Sequence, residues 1–122
     1  MKANRARRAH EAKGRYAETL AAWRLRFAGY RIIARRARTP FGEIDLVALK
    51  RGIAAVVEVK ARADLAAGLL SVSQRQQRRI ATAAVWLASN RPDLARRRLR
   101  FDVIVVRPWR APQHIRDAWR PN

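Results

Sequence analysis

The stretch from Gly42 to Arg62, GEIDLVALKRGIAAVVEVKAR, constrains the fold more than any other part of the chain. Two apolar runs, Glu43 to Leu49 and Ile53 to Ala61, flank Lys50-Arg51-Gly52 and read as the arms of a β-hairpin. Residues two apart share one face of a strand, so Glu43, Asp45 and Val47 point one way and Ile44, Leu46 and Ala48 the other. On the second arm Val56, Glu58 and Lys60 share a face, opposed by Val57 and Val59. A two-residue turn at Arg51-Gly52 sets Lys50 opposite Ile53, which places Asp45 opposite Glu58 and Glu43 opposite Lys60. Four charged groups then meet on one patch of an otherwise apolar hairpin, and a slip of one residue would scatter them to both faces.

Such a patch is expensive as mere structure. Two carboxylates about 4 Å apart repel by roughly 1 to 4 kcal/mol at effective dielectrics of about 80 to 20, and Lys60 can offset only one of them. A hard divalent cation resolves the rest, because Mg²⁺ favours one or two carboxylates together with waters and phosphate oxygens. Such an ion activates water and stabilises charge on a phosphate being cleaved, while Lys60 can orient the attacking water or neutralise the oxyanion. A second reading stays open on spacing alone: an edge-strand ion-pair cluster that discourages aggregation.

The remaining chain supplies the frame. Ala12, Tyr16, Leu20, Trp23 and Phe27 recur at helical spacing, widened on one side by Ala17, Ala21 and Leu25, and predict an amphipathic helix from about His10 to Ala28. Residues 1–9 are expected as a flexible basic arm. Gly29 suits the helix end, and Tyr30 to Ala34 reads as a short strand. Arg35 to Gly42 is expected as a basic connection. ARADLAAGLLSVS is expected to be irregular, with Ser71 or Ser73 capping a helix over Gln74 to Ser89. Arg100 to Arg107 is expected as a buried strand, and Gln113 to Trp119 as a short terminal helix. The order is α-β-β-β-α-β, a single α/β domain over 1–122 with a central mixed sheet flanked by helices.

Charge narrows the partner. Against 28 Lys+Arg stand nine Asp+Glu, a formal net charge of +19. Arginine pairs bidentately with phosphate oxygens, so nucleic acid, DNA first, is the expected partner. An arginine-rich composition inherited from a GC-rich genome is the competing source of the excess. The absence of cysteine excludes thiolate metal sites and fits a reducing cytoplasm, where the chain is expected. The basic N-terminal residues precede no apolar run, so no signal peptide is expected, and no stretch suits a bilayer.

His10 and His114 have no second ligand at metal-binding spacing and read as surface histidines. Trp23 and Trp86 read as core, and Trp109 and Trp119 as base-stacking rings or as lids over the sheet edge. Asp102, in the final strand, reads as the partner of a neighbouring arginine.

Asp45 followed by Glu58-Val59-Lys60 resembles the catalytic pattern of the PD-(D/E)XK nuclease superfamily. More closely, the chain resembles the YraN-like bacterial family, itself similar to Holliday-junction resolvases. The resemblance runs in order through Gly14-x-x-Ala17-Glu18, Gly29-Tyr30, Gly42-Glu43-Ile44-Asp45-Leu46, Glu58-Val59-Lys60-x-Arg62, Gln77-Arg78-Arg79-Ile80 and Arg100-Phe101-Asp102-Val103-Ile104. It implies a restriction-endonuclease-like core, Asp45 and Glu58 as ligands of Mg²⁺ or Mn²⁺, and Lys60 as catalytic lysine. Glu18 matches the acidic residue that often completes such sites, and Glu43 has a place in the motif without a settled role. Gln76 stands where relatives often carry lysine. Arg62, Arg75, Arg78 and Arg79 are the nucleic-acid contacts expected around the motifs. The implied activity is metal-dependent hydrolysis of DNA, branched or otherwise structured. A homodimer would suit a two-strand cut. The alternative on the same fold is a non-catalytic module that holds nucleic acid or a protein partner.

Overall fold

The hairpin forms in the expected register. In the computed structural model, which describes residues 2–121 without the side chains of 2–3 and 6–13, β2 (Gly42–Lys50) and β3 (Ile53–Ala61) pair antiparallel with Lys50 opposite Ile53. Arg51 takes the left-handed backbone of the tight turn, with φ 55°. Around this hairpin a five-stranded mixed sheet is ordered β1-β2-β3-β4-β5. Here β1 is Arg31–Thr39, β4 is Arg98–Val106 and β5 is Gln113–Trp119. Only the β3–β4 contact is parallel, and the intervening chain crosses over through α2 (Leu65–Leu70), α3 (Gln74–Asn90) and α4 (Pro92–Ala95). The first helix, α1 (Lys2–Phe27), lies on the opposite face of the sheet. This mixed α/β layering fits the restriction-endonuclease-like core expected from the sequence, with α2, α4 and β5 added to the six-element order.

Each helix has a local cause. The backbone is helical from Lys2, so α1 takes in residues 2–9 of the expected arm. It ends where Gly29, at φ 90°, lets its N–H reach the Arg26 carbonyl and the Tyr30 N–H reach that of Leu25. Ser73 caps α3 by accepting from the Gln76 N–H at 3.1 Å. The ARADLAAGLLSVS segment is not irregular throughout: Asp64 accepts from the Ala67 N–H at 2.8 Å and starts α2. Gly68 lets α2 lie close on β4, since a Cβ there would run into the Val105 side chain.

Three further expectations are corrected. The helix α1 buries Ala17, Ala21, Ala22 and Leu25, whereas Tyr16, Trp23 and Phe27 are 65, 53 and 85% exposed. Small side chains let this helix approach Leu46, Ala48, Ala55, Val57 and Ile104 closely, so the alanine stripe faces the sheet and the aromatic stripe does not. The Arg35-to-Gly42 connection is mostly strand, reduced to a turn at Pro40-Phe41. The segment from Gln113 to Trp119 is a strand, not a helix. Its apolar Ile115, Ala118 and Trp119 have helical spacing because the β4–β5 register shifts between Phe101 and Val103, which breaks the alternation of a regular strand. Trp119 is half-buried and stacks on Phe101 with ring centroids 4.4 Å apart. Trp86 is half-buried against the core.

Asp102 pairs with an arginine as expected, within a larger network. It is fully buried and takes both Arg100 Nε (2.9 Å) and Nη2 (2.7 Å), the Asp117 N–H (3.0 Å) and a hydrogen bond with His114 Nε2 (2.8 Å). His114 is therefore no surface histidine, its side chain being 3% exposed. The side chain of His10 lies outside the described residues. Among the described residues no helix is long and apolar enough to cross a membrane.

Candidate metal centre

The site originates where the hairpin stops being a hairpin. β2 and β3 pair over five rungs, ending at Leu46 opposite Val57. Beyond them β2 follows β1, with Glu43 opposite Arg38, and β3 follows β4, with Ala61 opposite Val106. Consequently neither the Asp45–Glu58 rung nor the Glu43–Lys60 rung expected from counting is formed. Asp45 and Glu58 occupy the first position after the strands part. The freed Val59 N–H donates to Asp45 Oδ2 at 2.8 Å, so the carboxylate takes the acceptor place that the neighbouring strand has vacated.

Glu58 is 5% exposed. Burial, followed by the charge of Asp45, pushes its carboxyl up to about 8. Burial also raises Asp45, against the Val59 N–H, Lys60 and Arg79, which favour its charge. The two carboxyl groups line one cleft, and the charge of Asp45 is a cause of the rise at Glu58. Lys60 Nζ stands 3.8 Å from Glu58 Oε2, and Gln76 Nε2 donates to that same oxygen at 3.2 Å. Gln76 comes from the first turn of α3, so the capped start of that helix forms one wall.

The cleft has a volume of about 440 Å³. Asp45, Glu58 and Lys60 line it together with Glu18, Glu43, Arg62 and Arg79. Arg79 Nη1 donates to the Phe41 and Glu43 carbonyls at 3.3 Å each, fastening the β1–β2 turn to α3. It passes so close to Gly42, at φ 115°, that a Cβ there would collide with the guanidinium. Arg75 and Arg78 are exposed on α3 outside the cleft lining. Glu18 reaches the cleft from α1 but gives its carboxylate to Arg36 Nε at 2.8 Å. Arg36 lies in β1 with φ 49°.

Among the described residues no three His, Asp or Glu side chains converge as a ready-made metal cage. The donor chemistry fits a hard cation all the same. Mg²⁺ keeps several waters and needs only one or two carboxylates, and two carboxyl groups that resist joint ionisation acquire a counter-charge when a divalent ion replaces their proton.

Spacing pointed to Asp45, Glu58 and Lys60. It did not point to the Val59 amide, the Arg79 clamp or the Arg36 partner of Glu18, which depend on how the helices lie over the sheet. The one available signal was Ser73, whose cap fixes Gln76 in the first helical turn.

The sequence profile described as uncharacterised protein family UPF0102 matches residues 17–106, from the buried start of α1's packing face to the end of β4. A protein of that family from Parvibaculum lavamentivorans is 51% identical over 108 residues, 88% of this chain and 81% of its own length. One from Chelativorans sp. is 49% identical over 108 residues, covering 88% of this chain and 86% of its own length. Another from Paramagnetospirillum magneticum is 44% identical over 121 residues, 96% of this chain and 94% of its own.

Proposed function

The chain belongs to the UPF0102 family, and from that premise and the geometry of the cleft we propose that it is a metal-dependent nuclease acting on DNA. The observation that carries this reading is the meeting of Asp45 and Glu58, both resisting ionisation through burial, beside the Lys60 ammonium. Asp45 and Glu58 would hold Mg²⁺ or Mn²⁺. A bound divalent cation supplies a water nucleophile near neutrality and neutralises charge on the phosphate. The chain's own residues do the rest. The Val59 N–H and Gln76 Nε2 hydrogen-bond the two carboxylates, and Lys60, 3.8 Å from Glu58, would donate to the attacking water or to the oxyanion. Arg62 and Arg79 edge the cleft with positive charge that draws a polyanion toward it.

The test is incubation of purified protein with linear, flapped and four-way DNA in Mg²⁺ or Mn²⁺. Cleavage is expected from the wild type. Loss on the order of 10²–10³ is expected in Lys60→Ala, as for removal of one donor to a developing charge. Asp45→Asn should lose both cleavage and divalent binding while retaining DNA affinity. A second reading, a non-catalytic nucleic-acid-binding module, draws support from Glu18, whose carboxylate is committed to Arg36. Salt-sensitive DNA binding with no cleavage of any substrate would select it.

A further inference from the structure

We infer that a second groove, beside the carboxylate cleft, is a binding track for single-stranded nucleic acid. It has a volume of about 860 Å³, near the upper end of the roughly 300–1,000 Å³ range of ligand sites. Tyr16 and Leu20 of α1 form one side, and Arg107, Trp109 and Arg110 of the β4–β5 connection the other. Arg62, just past β3, lines both groove and cleft, so the two run into each other.

Three observations point to that occupant. The rings are presented to water: Tyr16 is 65% and Trp109 102% exposed, an unusual expenditure of large aromatic surface. Trp109 also has left-handed backbone, φ 61°, which a bulky residue rarely adopts, between Pro108 and Pro112, whose rings stiffen the connection. Arginine accompanies the rings. Among the described residues no acidic side chain lines the groove, and Arg107 Nε is buried without a hydrogen-bond partner. Aromatic faces interleaved with cations match unpaired bases on a phosphate backbone, since stacking needs bases out of the duplex and tolerates any sequence. A strand held there by its bases would carry its backbone past Arg62 toward Lys60.

The inference deepens the nuclease reading, which it needs for the neighbouring scissile phosphate and not for the groove itself. The experiment measures binding of a fluorescent oligothymidylate and of a blunt duplex by anisotropy in EDTA, alongside cleavage in Mg²⁺. Trp109→Ala is expected to weaken oligothymidylate binding about tenfold, and Trp109→Phe, which keeps a ring, less than about threefold. Duplex affinity should change less than about twofold in both, because phosphate contacts dominate it. Equal oligothymidylate affinity in wild type and Trp109→Ala, or an equal loss toward duplex, overturns the inference. Trp109-dependent oligothymidylate binding with no cleavage of linear, flapped or four-way DNA sinks the nuclease reading and leaves the track standing. Cleavage with Trp109-independent binding does the reverse.

Discussion

At Glu58 the folded chain holds a proton that an exposed glutamate would have released. Its carboxyl stands at about 8 against 4.5 for the free group, through burial first and Asp45 second. Between those values the native state carries a proton that the unfolded state lacks, so this residue's contribution to stability is complete below pH 4.5 and drains away as pH rises toward 8. Glu58→Gln keeps the shape and removes the titration. In EDTA its melting temperature should match the wild type within about 2 °C at pH 4.5 and exceed it by about 4–8 °C at pH 8.5, which thermal melts followed by circular dichroism will read. A constant difference across that range would contradict the assignment. Asp45, Glu58 and Lys60 were legible in the sequence because a strand's period of two is strict. The contact of Gln76 with Glu58 and the clamp of Arg79 on the β1–β2 turn were not, because no local period says which turn of α3 will lie over which strand.

At the scale of elements, the Asp102 network clamps β5 to β4. Burial alone would raise the Asp102 carboxyl, but His114, Arg100 and the Asp117 N–H outweigh it and hold the group below the ordinary aspartate range. Its stabilisation is therefore present above pH 3.8 and lost as acid protonates it. Asp102→Ala leaves the Arg100 guanidinium without its partner and should cost about 3–5 kcal/mol, the usual price of breaking a buried pair, measured by urea unfolding at neutral pH. A loss below about 1 kcal/mol would show that the clamp is dispensable. The same strand shows where sequence reading failed. Asp117, at φ 51°, interrupts the alternation of β5, and apolar residues that would mark a strand fall into helical spacing. The hairpin, having no such interruption, was read in its correct register. In α1 the difference was one of size: alanine, and not the larger aromatic residues, fits against a sheet at close range.

Across the whole molecule, 28 basic residues set against nine acidic ones make long-range attraction to polyanions the dominant expectation. If six to ten phosphates are contacted, DNA affinity should fall by about 10³–10⁵ between roughly 50 and 200 mM salt, as a titration by anisotropy will show. Affinity indifferent to salt would assign the arginine excess to composition alone. The fold decides which arginines stand beside the cleft. Arg62 and Arg79 border the cleft, whereas Arg75 and Arg78 face solvent on α3.

The parting of β2 from β3 sets the width of the cleft. One arm of the hairpin is rooted in an antiparallel edge and the other in a parallel pair, so the gap between the carboxyl groups is gauged by backbone pairing and twist. Substitutions along the walls of this cleft would change what enters the aperture and leave its width to the backbone.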